Sequence, residues 1–180
     1  MSSRGEREPD RIFQYQLFTD LVLDVRTNAQ IALPNRKLVR SNSRYIQEVR
    51  ANITSPEAAM EYFRDNIYTP FDHCLQEELW LLMLNTKNVV SQQAMIYRGT
   101  ISTMMVRPAE VFRPAIAANA TAILLAHNHP SGDPAPSPED VQVTRSLVEA
   151  GQLLGIELLD HIVVGAERSV SLKEHKMGFS

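Results

Sequence analysis

The chain has a single cysteine, Cys74, so it cannot close an intrachain disulfide, and its thiol content suits a reducing cytosol. It has no apolar run of bilayer length. Leu79 to Leu84 is among the longest, where a spanning helix needs roughly 20 residues. The opening residues MSSRGEREPDR are polar where a secretory signal needs an apolar core. Neither sign of charge dominates: 18 basic residues against 21 acids give a net charge of −3, which lacks the electrostatic footprint of a nucleic-acid binder. There is no HExxH pair, no P-loop, no dinucleotide-binding glycine motif and no internal repeat. What remains is 180 residues with 44% hydrophobic and 22% charged content, the profile of a soluble cytoplasmic chain of one ordinary domain plus an appendage.

Apolar periodicity and turn residues predict the elements. The mixed aromatic and aliphatic stretch from Ile12 to Val25 reads as strand, and the polar stretch from Leu33 to Arg50 as a solvated face. That stretch holds Arg36, Lys37, Arg40, Arg44 and Arg50, five of the nine basic residues before position 53, where six acids oppose them. Ser55-Pro56-Glu57 opens a helix running through the mid-60s, with a capping serine, a proline at the first position and an acid in the first turn. Glu77 to Asn85 and Val89 to Tyr97 read as antiparallel partners across the turn Thr86-Lys87-Asn88. An extended segment over Ile101–Val106, a helix from Pro108 to about Ala118, a strand over Thr121–Ala126, a helix from Ser137 to Leu154 ended by Gly155, and a strand over Ile156–Val164 complete the series. Strands and helices interleave in the order ββ-α-β-α-β, which predicts an α/β fold with a mixed central sheet flanked by helices.

Residues 121–141, TAILLAHNHPSGDPAPSPEDV, carry the chemistry. Alternate strand residues share a face, so His127 and His129 project toward one point at a strand's carboxyl end, while Asn128 faces the other way and holds the loop. Pro130, Gly132, Pro134 and Pro136 exclude helix until Ser137, and Asp140 then falls in the first turn of the next helix. Ser137 and Asp140 also fit an ordinary helix cap. The two readings are compatible, because a capped helix start fixes where Asp140 points. Two imidazoles and one carboxylate leave a fourth position for water, the arrangement of catalytic rather than structural zinc.

His127-Asn128-His129 followed by Ser137 and Asp140 resembles the JAMM (JAB1/MPN) metalloprotease motif, and the string HNHPSGDPAPSPED is similar to the signature of the bacterial RadC family within it. The likeness extends over residues 53–165, through Ile53-Thr54-Ser55-Pro56, Met83 to Asn88, Arg98-Gly99-Thr100, Val148 to Gly151 and Leu158 to His161. It implies a JAB1/MPN domain over residues 53–180, of three-layer architecture like that of cytidine deaminases, with residues 1–52 as an N-terminal extension. It also implies a Zn2+ cofactor on His127, His129 and Asp140, and Ser137 as the donor that steadies an oxyanion. The family pattern places its general acid/base glutamate at Glu77, with Glu78 second and Glu110, in a predicted helix, a distant third. Asp160 or His161 on the neighbouring strand would partner a ligand imidazole. Ser131 and Asp133 receive no role, and His73 and His175 read as surface residues.

The expected activity is zinc-dependent hydrolysis of a peptide or isopeptide bond in a peptide or protein substrate. A DNA-associated accessory protein of the DNA-repair type and a metal-dependent nuclease are the alternatives. Longer RadC proteins carry a helix-hairpin-helix segment associated with DNA, and its Gly-rich hairpins are not found in this sequence. The zinc deaminases need a cysteine pair that one cysteine cannot supply.

Overall fold

Ser55 begins the first helix as its sequence predicts: its side chain accepts from Ala58 N at 3.2 Å, and helix α1 spans Pro56–Asn66. The computed structural model describes residues 21–24, 29–32, 38–41, 44–99 and 106–179. Strands β1 (Leu21–Asp24) and β2 (Ala29–Ala32) pair antiparallel in a unit of their own, Met1–Arg36. The remainder of the strand expected over residues 12–25 lies outside the described residues, as does the extended segment expected from residue 101, of which only Val106 is described.

The second unit, Lys37–Ser180, is built on a seven-stranded sheet. Its strands are β3 (Leu38–Ser41), β4 (Arg44–Asn52), β5 (Glu77–Leu84), β6 (Val89–Gly99), β7 (Ala122–Asn128), β8 (Glu157–Val164) and β9 (Ser169–Ser171), in the order β3-β4-β6-β5-β7-β8-β9. All neighbours run antiparallel except β7 and β8, so the sheet is mixed as expected. The polar stretch 33–50 differs from its sequence reading, because β3 and most of β4 lie within it. Gln47 can be 3% exposed there because Gln93 Nε2 donates to its Oε1, and Tyr62 in turn donates to Gln93 Oε1 at 2.7 Å. A satisfied polar group is tolerated inside where an unpaired one is costly.

Helices cover both faces. Phe63 and Ala59 of α1 pack on Leu82, Leu84, Leu124, Ala126 and Ile162. On the other face Phe112 of α2 (Pro108–Ala117) and Val143 and Leu147 of α3 (Pro138–Leu154) pack on Leu79, Leu81, Met83, Ile123 and Leu125. Double coverage explains why β7 is buried at all seven positions and reads as a continuous apolar run. Each fully buried Leu or Met of β5 contributes about 1.5–3 kcal/mol. Among the described strands the crossover β7-α3-β8 is the one parallel connection. It brings the carboxyl end of β7 and the amino end of α3 together, where open α/β sheets place their sites. Gly165, after β8, lets the loop between them pack down, since a Cβ there would meet the carbonyl oxygen of Gly132 and lie 2.7 Å from Pro134 Cδ. Among the described residues no helix is long and apolar enough to cross a membrane.

Candidate metal centre

Strand β7 runs two residues past its expected end, through Asn128, and its pleat turns His127 toward α3. His129 follows, held by its N–H to Val164 O at 3.0 Å. On α3, Ser137 and Asp140 form a reciprocal capping box. Asp140 Oδ2 accepts from Ser137 N and from Ser137 Oγ, both at 2.7 Å, and Ser137 Oγ accepts from Asp140 N at 3.1 Å. Asp140 Oδ1 is left facing His127 Nε2 at 3.1 Å. The two Nε2 atoms of His127 and His129 are 3.1 Å apart, and His129 Nε2 is 3.6 Å from Asp140 Oδ2. His127, His129 and Asp140 thus form a group able to hold a metal ion, with ligand atoms within 4.8 Å of one another.

The outer nitrogens of both imidazoles fix their tautomers. His129 Nδ1 lies 2.9 Å from the carbonyl oxygen of Asp133, so it carries the hydrogen. His127 Nδ1 lies 2.9 Å from His161 Nε2, and His161 Nδ1 lies 2.6 Å from Thr144 Oγ1. Thr144 gives its own hydrogen to the carbonyl of Asp140 at 2.7 Å, so it can only accept from His161. Donation therefore runs from His127 to His161 to Thr144 to the backbone of Asp140, linking the strand histidine to the helix that carries Asp140. Both Nε2 atoms keep lone pairs aimed at Asp140. Tetrahedral zinc with bonds of about 2.0–2.1 Å would separate its ligand atoms by roughly 3.3 Å, close to the 3.1 Å between the two Nε2 atoms and between His127 Nε2 and Asp140 Oδ1, so the group could hold such an ion.

Without an ion, an inward Nε2 that carries a proton in its place donates to the Asp140 carboxylate, and the electrostatics of the site describe that metal-free state. Burial, and after it the charge of His127, pushes the His161 pKa down to about 3, which keeps it neutral and able to accept. Burial would raise the Asp140 carboxyl, but hydrogen bonds from His127, His129 and Ser137 outweigh it and hold the group well below the ordinary carboxylate range. The hydrogen bond to Asp140 raises His129 against the opposing effect of burial, and the charge of Glu77 adds to the rise.

The register places the two glutamates. Leu79 pairs with His127, so Leu79 and, two residues earlier, Glu77 share the face of the ligands. Glu78 is on the α1 face, where its carboxylate accepts from Trp80 Nε1 at 2.8 Å and pairs with Arg98 at 2.7 Å. Glu110 is in α2, paired with Arg107 at 2.8 Å. Of Asp160 and His161, only the histidine reaches a ligand. Asp160 accepts from His161 N, Lys173 N and Ser171 Oγ and pins the turn after β9. Asn128 does face away from the ligands, but its carboxamide bonds residues 74–78 rather than the Pro-rich loop. Asp133 supplies a carbonyl to His129, and Ser131 Oγ accepts from Asp133 N at 3.4 Å. His73 and His175 are exposed. Thr144 was not singled out from sequence, although its place four residues after Asp140 puts it on the same helix face.

Replacing His161 by leucine removes the acceptor of the His127 hydrogen while keeping a similar volume. Zinc affinity is expected to fall by roughly 10–100-fold, measured by competition with a chromophoric chelator. Unchanged affinity would show that the relay does not orient the ligand.

A family model described as the RadC-like JAB domain matches residues 53–177. A UPF0758 protein of Roseiflexus sp. (strain RS-1) is 51% identical over 107 residues, 59% of this chain and 46% of the relative. Another, of Bacillus cereus (strain G9842), is 47% identical over 126 residues, 69% and 54% of the two chains. A third, of Shouchella clausii, is 45% identical over 139 residues, 77% and 58%. The chain spans about half the length of these curated relatives, whose names state no activity. With the strand-to-helix site assembled inside the matched residues, the chain belongs to the RadC-like JAB domain family.

Proposed function

We propose that the protein is a zinc-dependent hydrolase of the JAMM type, acting in the cytoplasm on a peptide or isopeptide amide. His127, His129 and Asp140 would hold the zinc, Glu77 would serve as general acid/base, and Ser137 would donate to the oxyanion. Residues 53–180 carry the chemistry in this reading, and residues 1–52 are an N-terminal extension without an assigned role, from which β3 and β4 join the sheet. The observation that supports it most is the convergence of three ligand atoms whose outer hydrogen bonds leave both Nε2 lone pairs directed inward. Zinc held there would polarise a water molecule and lower its pKa toward neutrality.

The protein's own groups account for the rest. Glu77, half-buried on the ligand face, can take a proton and return it to a leaving nitrogen. Ser137 can turn its hydroxyl hydrogen from Asp140 toward an oxyanion, since the Ser137 N–H continues to serve Asp140 Oδ2. A net charge of −3 favours a protein or peptide substrate over nucleic acid.

Zinc-loaded protein is expected to cleave members of a mixed peptide and isopeptide library, to stop when a chelator is added, and to leave supercoiled plasmid intact. Plasmid nicking without peptide cleavage would replace the reading with a nuclease. Salt-dependent DNA binding with turnover of neither substrate would favour an accessory role.

A further inference from the structure

Strands β5 and β7 stay paired only as far as Leu79 and His127. Beyond that point β7 follows β8 instead, with Asn128 opposite Val164 and the His129 N–H on Val164 O. The amino end of β5 remains paired with β6, Glu77 opposite Gly99. The sheet therefore parts beyond the Leu79–His127 pair, and no residue pair of the β5–β7 ladder reaches Glu77 itself.

Asn128 spans this gap. It is fully buried, and both of its sequence neighbours belong to the metal group. Its Oδ1 accepts from Glu78 N at 2.8 Å, while its Nδ2 donates to Gln76 O at 3.1 Å and to Cys74 O at 3.4 Å. The carboxamide thus bonds the residue on either side of Glu77 from the α1 face, leaving the Glu77 side chain on the ligand face. The Tyr68 hydroxyl reaches the same two strands, at Glu78 O (2.8 Å) and Ala126 O (2.9 Å). The bridge uses an acceptor and a donor on two separate atoms, which aspartate, leucine and the single hydroxyl of threonine do not offer.

We infer that Asn128 is a positioning residue, whose carboxamide replaces the backbone ladder where β5 and β7 part and so fixes Glu77 relative to the metal group. The inference rests on the proposed function and adds to it a device that couples base to ligands. A purely structural role would lower stability without acting through Glu77.

The test uses the full 180-residue chain and Co2+ alone, whose visible absorption responds to the groups around the ion. Wild type, Glu77→Gln, Asn128→Ala and the double variant are titrated with Co2+. The wild type is expected to bind, and Glu77→Gln to change the spectrum. Asn128→Ala should bind Co2+ with less than the roughly 10-fold loss that removal of a ligand's outer partner brings, because both imidazoles keep theirs. Its spectrum should match that of Glu77→Gln, and the double variant should add nothing further. Asn128→Ser serves in place of alanine where that variant does not fold. A wild-type spectrum in the Asn128 variant, or shifts that add in the double variant, overturns this inference alone. Absence of Co2+ binding by the wild type overturns the metal reading, and identical spectra for wild type and Glu77→Gln overturn the role of Glu77. The inference falls with either.

Discussion

Replacing Asp140 by alanine is expected to reduce bound zinc from about one ion per chain to almost none, measured by mass spectrometry of the purified protein. The remaining histidines keep their tautomers, because the Asp133 carbonyl and His161 are untouched, yet two neutral imidazoles carry no charge to offset the ion. The loss should exceed the roughly 10–100-fold cost of removing an outer partner, since a ligand and its negative charge go together. The substitution also removes the acceptor of the Ser137 N–H, so about 1 kcal/mol of helix-cap stability is lost as well. Asp140→Asn separates the two effects: its Oδ1 keeps the shape and an acceptor for the cap but not the charge. Metal loss in both variants assigns the effect to ligation, whereas loss in alanine alone assigns it to the fold.

The metal-free protein should show a matching pH dependence. The Asp140 carboxyl is held below its ordinary value of 3.8, so its contribution to stability is present above that value and fades only in strong acid. His129 is raised above its ordinary value of 6.5, so its contribution is complete below that value and is lost as pH rises through the higher folded pKa. Thermal unfolding in the presence of a chelator should therefore show a midpoint that declines as pH rises past 6.5 in the wild type, and this decline should be weaker in Asp140→Ala.

The candidate metal group was legible in the sequence because every step to it is local. Period-two alternation puts His127 and His129 on one face, prolines hold off the helix, and the cap at Ser137 sets Asp140. Other features depend on register between distant segments. In the sequence only the family resemblance favoured Glu77 over Glu78; that Glu77 shares the face of the histidines rests on the pairing of Leu79 with His127, which no local pattern contains. Asn128 could be read as facing away from the ligands, but its partners lie 50 to 54 residues earlier. The relay through His161 and Thr144 requires β8 and α3 to be packed together before its partners are defined. Strands β3 and β4 were missed because a polar sequence reads as solvated surface unless a buried partner such as Gln93 is known for Gln47.

Glu77→Gln is expected to keep zinc at the wild-type level while hydrolysis falls by about 10²–10⁴-fold, the usual contribution of a positioned acid/base. Glutamine preserves the volume and hydrogen-bonding shape of the side chain at this half-buried position but cannot cycle a proton. The neighbouring Glu78→Gln makes the comparison sharp, because adjacent strand residues face opposite sides. Glu78 is bound to Arg98 and Trp80 on the α1 face, so its neutralisation should alter stability slightly and leave the rate within a few-fold. The assay is the rate at saturating substrate, with zinc content measured on the same samples. Inactive Glu78→Gln beside active Glu77→Gln would place the base on the α1 face and contradict the register argument. Loss of zinc in Glu77→Gln would instead make Glu77 part of the ligand set, so the rate and the metal content together decide which role that carboxylate has.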